Sequence, residues 1–150
     1  FGGLLMNGTW AAASDAYDPC VLKVQPGESI QAAVNLAETK AAVGTQCAIW
    51  IGEGVFNEKI TIGSNQTHLK NLVIFGAAME KTVIRGGILV HFFQSNGDPI
   101  NGGVTTVQNL TLDGKGTESY GLNIVSEYVR ANALYVKNYK YAGIYVQSNG

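Results

Sequence analysis

Charged residues and long apolar runs are both scarce in this chain of 150 residues. Asp, Glu, Lys and Arg together make up 14% of it, and the formal net charge is −1. The composition lacks the clustered excess of Lys and Arg that a nucleic-acid-binding protein carries, so we expect no nucleic-acid partner. No apolar stretch reaches the roughly 18 residues that a membrane-spanning helix needs, so we expect no membrane span.

Proline and cysteine are also rare, with three and two residues, whereas glycine occurs 19 times. Such a composition is typical of short strands joined by tight glycine turns. The opening segment, FGGLLMNGTW, has no charged start and no small-residue cleavage site, so we do not interpret it as a signal peptide. We predict that residues 1–20 form a leading arm or linker and that residues 21–150 form the folded domain.

The two cysteines, Cys20 and Cys47, flank the one helical segment of the sequence. A disulfide that ties this segment down and a pair of buried free thiols are both compatible with that position. Glycosylation sequons begin at Asn7, Asn65 and Asn109. Sequons favour a secreted protein, so we expect an extracellular, cell-surface or virion location.

Apolar spacing predicts a single helix. Apolar residues recur at intervals of three and four between Ile30 and Ala37, which is the period of an amphipathic helix. Ser29 precedes them as an N-cap, and we expect the helix to end before Gly44. From Ala48 onward the apolar residues alternate in short runs separated by Gly, Asn or Ser, which predicts strand after strand.

Two pairs of these runs are related by a nearly constant shift along the chain. Leu110–Leu112 matches Leu134–Val136, and Gly121–Ile124 matches Gly143–Val146. A repeat of this size with two strands per turn predicts that each turn lies on the previous one in parallel register. Short turns cannot supply the long crossovers of a flat parallel sheet. We therefore predict an all-β fold, a right-handed single-stranded parallel β-helix or solenoid, capped at its N-terminal end by the α-helix.

Several blocks of the sequence resemble a known superfamily. They read GESIQAAV at 27–34, IWIGEGVFNEKITI at 49–62, NLVIFG at 71–76 and KTVI at 81–84. In this order they resemble the pectin lyase-like superfamily of right-handed parallel β-helices, and they are most similar to the N-terminal part of pectin methylesterases. The resemblance covers residues 22–150 and implies the fold more than the activity, because enzymes, adhesins and viral fibre proteins share this opening pattern.

The same resemblance allows the catalytic positions to be compared. Methylesterases carry a Gly-Tyr-Gln-Asp-Thr-Leu-Tyr motif, whose glutamine stabilises an oxyanion and whose aspartate acts as acid and base. The corresponding stretch, residues 140–145, places Ala142 and Gly143 at those two positions. Neither residue can donate to an oxyanion or transfer a proton, so the resemblance implies that pectinesterase chemistry is absent.

One turn carries candidate metal ligands. Asp113 and Glu118 lie in the segment DGKGTE at 113–118 and could bind Ca²⁺ through carboxylate oxygens. A solvated Asp-Gly turn is the alternative, and it is the interpretation that we favour. We therefore expect no cofactor, with Ca²⁺ at this turn the one exception. The remaining candidates lack metal-ligand spacing or an evident acidic neighbour: His68, His91, Arg85 and Arg130.

Exposed aromatic side chains are the candidates for binding. Alternation places Trp50, Tyr135 and Tyr145 on the outer face, because each lies between two inward apolar residues, and Tyr141 lies in a nearby turn. Such side chains can stack on sugar rings or pack against another chain. The alternative is that aromatic residues simply favour strands.

Two functions are compatible with these features. The first is a non-catalytic module of a larger surface, fibre or virion protein. It would be a rigid element that binds a polysaccharide or other protein subunits, as a homo-oligomer or part of a larger assembly. The alternative is a carbohydrate-active enzyme of the pectinesterase, polysaccharide lyase or epimerase type, with catalytic residues beyond this segment. The absence of a catalytic glutamine and aspartate at positions 142 and 143 favours the non-catalytic module. Because the sequence ends just past a strand, we also expect the domain to be truncated, continued or covered there.

Overall fold

A computed structural model of the chain describes residues 20–40, 46–63, 71–91, 104–125 and 129–147. Within these ranges it contains one helix and eleven strands. In chain order they are β1 (Cys20–Val24), α1 (Ile30–Lys40), β2 (Gln46–Ile51), β3 (Gly54–Phe56), β4 (Ile60–Ile62), β5 (Asn71–Gly76), β6 (Thr82–Ile84), β7 (Ile88–Val90), β8 (Val104–Asp113), β9 (Tyr120–Ile124), β10 (Val129–Lys137) and β11 (Ala142–Val146). The sequons at Asn7 and Asn65, His68 and the predicted arm apart from Cys20 lie outside the described residues.

The described strands pair in parallel and form two sheets. The larger sheet has seven strands in the order β1-β2-β5-β8-β6-β3, with β10 also paired to β8. The smaller sheet has four strands in the order β11-β9-β7-β4. Strand β8 is 10 residues long, so its first half pairs with β5 and its second half pairs with β6. One of the two sheets is curled into a half-barrel.

This architecture shows that the predicted fold class is wrong. The described strands form two parallel sheets, one of them a curled half-barrel, and not a right-handed single-stranded parallel β-helix. The strand register itself follows the repeat, because Leu110 pairs with Leu134 and Leu122 pairs with Ile144. A constant shift specifies which strands are parallel neighbours. The shift does not specify how a sheet closes. Two parallel sheets also satisfy it, and in the larger one the strands β5 and β6 pair with different halves of β8.

Burial alternates along the strands because successive side chains point to opposite faces. In β2, Ile49 and Ile51 are buried while Trp50 between them is half-buried. The buried aliphatic side chains of both sheets and of α1 form one core cluster. The alternation around Tyr145 predicts that its neighbours Ile144 and Val146 point inward, but they are exposed to 49% and 66%. Their strand, β11, pairs with β9 alone among the described strands, so no described strand covers its other side.

Helix α1 begins where the sequence predicts. Ser29 Oγ accepts a hydrogen bond from Ala32 N at 3.1 Å, which is the geometry of an N-cap. Glu58, from the turn before β4, also binds this end of the helix by accepting hydrogen bonds from Ile30 N and from the Ser29 hydroxyl. A carboxylate is stabilising there because it faces unpaired N–H groups and the positive end of the helix dipole.

The helix also covers the edge of the smaller sheet. The side chain of Gln31 donates to Thr61 O at 3.0 Å and accepts from Thr61 N at 2.6 Å. Glu38, which is fully buried, accepts from Gly63 N at 2.7 Å. Among the described strands, β4 pairs with β7 alone, so these helix side chains satisfy backbone groups that would otherwise be an open edge.

Cys20 and Cys47 form a disulfide between β1 and β2. The two residues are register partners in the larger sheet, with their Cα atoms 4.5 Å apart, and both are buried. The loop that they close spans 27 residues and contains α1. The disulfide therefore ties the helix to the sheet on which it packs.

A bend in β10 offers a test of the strand register. Ala133 has a φ of 49°, in the left-handed region where residues with a Cβ atom lose about 1 kcal/mol or more. The neighbouring position in β8 is Asn109, which has a φ of 58° and donates from Nδ2 to Gly76 O at 2.9 Å. Asparagine tolerates this conformation better than alanine does.

We therefore expect Ala133→Asn to raise the free energy of unfolding by about 1 kcal/mol, because the strain is reduced and the new amide can reach the carbonyl of Asn109. Urea denaturation measures this change. Ala131→Asn is the matched control, since Ala131 is exposed on the same strand, and it should change stability by less than about 0.5 kcal/mol. Equal effects at both positions would contradict the register.

Candidate functional site

Trp50 lies on the outer face of the larger sheet. Its register partners are Lys23 on β1 and Phe75 on β5. Together with Val21, these side chains line an open groove of about 280 Å³. The groove lies on the part of the larger sheet formed by β1, β2 and β5, and β5 pairs with the first half of β8.

Tyr135 lies on β10, on the other side of the bend at Ala133. It is 49% exposed and pairs with Thr111 in the second half of β8. The ammonium group of Lys137 lies 5.2 Å from the centre of its ring, which is cation–π geometry. The register therefore separates Tyr135 from the groove at Trp50, and the two do not form one aromatic row.

Tyr141 and Tyr145 do lie together, around a third tyrosine. The ring of Tyr120 stacks on the ring of Tyr145, with centroids 4.7 Å apart and an interplanar angle of 26°. Tyr141 lies 5.9 Å from Tyr120 at a tilt of 44° and is 75% exposed. We call Tyr120, Tyr141 and Tyr145 the tyrosine cluster. It is the largest group of aromatic side chains that the described residues bring together.

Sequence reasoning missed Tyr120, although the repeat contained the signal. The shift that relates Gly121 to Gly143 also pairs Tyr120 with Ala142, so Tyr120 is the register neighbour of the residue that follows Tyr141. The two segments also share a backbone hydrogen bond, from Tyr141 N to Ser119 O at 3.1 Å. Strand pairing between β9 and β11 thus brings Tyr120 to the same surface as Tyr141 and Tyr145, from which it is well separated in the sequence.

The turn with the predicted metal ligands lies next to this cluster. Asp113 Oδ1 accepts hydrogen bonds from Asn138 Nδ2 at 2.9 Å and from Lys115 N at 3.0 Å. These hydrogen bonds hold the pKa of Asp113 below its usual value. Glu118 is instead paired with Lys59 at 2.8 Å. Asp113 and Glu118 therefore have separate partners, and the described residues contain no group of three or more His, Cys, Asp or Glu that could hold a metal ion.

Tyr139 joins the turns of neighbouring segments beneath the cluster. Its hydroxyl donates to the carbonyl of Gly86, and its ring lies where a Cβ atom on Gly114 or Gly121 would be, 2.5 and 2.8 Å away. Burial raises the pKa of Tyr139 above its ordinary value, and nearby carboxylates, including Asp113, add to the shift. Tyr139 is therefore a packing residue that positions the turns, and glycine at these positions makes room for it.

The positions that correspond to the esterase residues carry no reactive group. Ala142 is half-buried and pairs with Tyr120. A Cβ atom on Gly143 would lie 2.9 Å from Val136 Cγ1, so the space beside that backbone is already filled. Neither residue has a side chain that can stabilise an oxyanion or transfer a proton.

Comparison with family models, curated proteins and solved structures gives no match. The resemblance to pectin methylesterases therefore depends on the quoted sequence blocks alone. The one helix within the described residues is too short to cross a bilayer.

Proposed function

We propose that this chain is a non-catalytic structural module of a surface, fibre or virion protein, and that its tyrosine cluster binds glycans. The tyrosine cluster, in which Tyr141 and Tyr145 are exposed and Tyr120 is half-buried, is the observation that carries the proposal. The relation to the pectin lyase-like superfamily remains part of this proposal, supported by the sequence blocks.

The scaffold supports a structural role. Both sheets share one core of tightly buried aliphatic side chains, and strands held this way change shape little when a ligand binds. The disulfide between Cys20 and Cys47 fixes the first two strands covalently. Disulfides persist in oxidising environments, which supports an extracellular, cell-surface or virion location.

The tyrosine cluster supports sugar binding. Tyrosine rings present a flat apolar face and a hydroxyl group, so they can stack on a sugar ring and hydrogen-bond to it. Tyr145 is stacked on Tyr120 and so is held in place before a ligand arrives. A side chain that is ordered in advance loses less conformational entropy on binding.

The test is a glycan array followed by titration calorimetry on the ligands that bind. Replacing Tyr141 with Ala should weaken binding about fivefold, because an aromatic contact contributes about 1 kcal/mol. Trp50→Ala is the matched control: Trp50 is an outer-face aromatic residue of the larger sheet, away from the cluster, and its loss should leave the affinity unchanged.

Two results would contradict the proposal. Binding that falls equally in the Tyr141→Ala and Trp50→Ala variants would show that the cluster is not the binding surface. Release of methanol or unsaturated uronides from pectin or alginate by the chain would contradict a non-catalytic role.

A further inference from the structure

Three charged side chains lie in one line across neighbouring strands beside the tyrosine cluster. Lys137 of β10 pairs with Asp113 of β8, and Arg85 follows Ile84, whose partner Leu112 precedes Asp113. Neighbouring strands are about 4.8 Å apart, so the backbones of Arg85 and Lys137 lie about 10 Å apart with Asp113 between them. We call these three residues the charged column, and its charges run positive, negative, positive.

Neither cation of the column has an ion-pair partner within the described residues. Arg85 Nε is buried there without a hydrogen-bond partner. The ammonium group of Lys137 lies over the ring of Tyr135. Asp113 balances only one of the two positive charges, so the column keeps a net charge of +1. The ion pairs of the described chain join other residues, Lys59 with Glu118 and Lys81 with Glu53. The column can therefore attract anionic groups from a ligand.

The charged column and the tyrosine cluster belong to one surface. The turn that follows Asp113 and the turn that follows Lys137 run side by side, with a hydrogen bond from Lys140 N to Glu118 O at 2.9 Å. The next residue along the second turn is Tyr141, the most exposed ring of the cluster. The turn at 138–141 therefore joins the last residue of the column to the cluster.

We propose that the glycan bound at this surface carries a carboxylate on every second sugar, an inference that rests on the proposed function. The column offers a cation, a carboxylate and a cation in succession, and the spacing of about 10 Å between the backbones that carry the two cations corresponds to an advance of two sugar units. A polymer of alternating acidic and neutral sugars places its carboxylates at Arg85 and Lys137. A carboxylate on the intermediate sugar would face Asp113, and like charges at close range repel.

A glycan fits this surface better than a nucleic acid does. A nucleic acid carries a phosphate at every unit, so it would also place a charge opposite Asp113. The chain as a whole has a net charge of −1 and lacks the wide basic surface of a nucleic-acid binder.

The experiment compares the affinities of four probes for the full chain by biolayer interferometry at low and physiological salt. Unsulfated chondroitin has a carboxylate on alternate sugars, polygalacturonate has one on every sugar, dextran has none, and oligothymidylate is the nucleic-acid probe. We expect chondroitin to bind roughly tenfold more tightly than polygalacturonate or dextran, with an affinity that falls as salt rises.

Variants of the charged column test separately whether Lys137 attracts carboxylates and whether Asp113 repels them. Lys137→Gln should reduce chondroitin binding to the level of dextran, whereas Lys23→Gln, the same charge change at an exposed residue of β1, should leave it unchanged. Asp113→Asn keeps an oxygen that can accept the hydrogen bonds from Asn138 and Lys115. That variant should raise polygalacturonate affinity to the level of chondroitin, which a merely structural role of Asp113 would not do. Thermal denaturation checks that each variant is folded.

Three results would overturn the inference. If polygalacturonate or dextran bound as tightly as chondroitin, the preference for a carboxylate on every second sugar would be wrong. The proposed function, glycan binding, would not be affected. Tighter binding of oligothymidylate, lost in Lys137→Gln, would reassign the surface to nucleic acid. Binding of none of the four probes would overturn the inference, and the glycan array would then decide the proposed function separately.

Discussion

Replacing Leu122 with Ala is expected to lower the free energy of unfolding by about 3 kcal/mol. Leu122 is fully buried in β9, at the centre of the smaller sheet, with register partners Ile88 in β7 and Ile144 in β11. Truncation there removes apolar contacts and leaves a cavity that parallel strands on both sides cannot collapse to fill. Chemical denaturation followed by circular dichroism measures the change.

Ile144→Ala is the matched control, because Ile144 is the direct register partner of Leu122 but is 49% exposed. Its removal leaves no enclosed cavity, so the expected loss is below about 1 kcal/mol. If the two substitutions were equally damaging, Ile144 would be buried in solution and the observed position of β11 at the edge of the smaller sheet would be wrong.

Gly86→Ala is expected to destabilise the chain by about 3 kcal/mol, through crowding of the backbone. A Cβ atom on Gly86 would overlap the carbonyl of Glu58, and it would lie 3.2 Å from Lys59 N. Main-chain atoms cannot move aside as a flexible side chain can. The displaced turn also carries the Glu58 carboxylate that binds the N-terminus of α1, so the damage should reach the helix.

Gly116→Ala separates this crowding from the cost of backbone conformation. Gly116 has a φ of 74°, and a Cβ atom there would have nothing within 4 Å. The substitution should therefore cost only the left-handed penalty, about 1 kcal/mol. Thermal and urea denaturation of the two variants, measured side by side, compares the two losses of stability. If Gly86→Ala were the less destabilising change, the close approach of the turns at 57–59 and 85–87 would be refuted.

The tyrosine cluster shows how far a repeat in the sequence can locate a surface. Alternation marked Tyr145 as outward, and the turn position marked Tyr141, but the ring that connects them is Tyr120. Its pairing with Ala142 follows from the same shift that relates Leu122 to Ile144. Trp50, which alternation placed in the same class, lies with Lys23 and Phe75 on another sheet. Periodicity gives the face of a strand, whereas contact between faces depends on which strands are neighbours.

The charged column could not be predicted from the sequence, because it also depends on which strands are neighbours. Arg85 and Asp113 lie further apart along the chain than the shift between any of the matching runs. Arg85 therefore had no evident acidic neighbour in the sequence. The register of β6 on the second half of β8 places it beside Asp113.

Local chemistry was enough to predict the short-range features of this protein. The N-cap at Ser29, the amphipathic period of α1 and the alternation of Ile49, Trp50 and Ile51 depend on neighbours within a few residues, and all of them are present. The closure of the sheets, the disulfide and the uncovered side of β11 depend on long-range packing. A parallel β-helix and two parallel sheets both have a two-residue period along each strand and a constant shift between neighbouring strands. Only the arrangement around β8, whose two halves pair with different strands, decided between them.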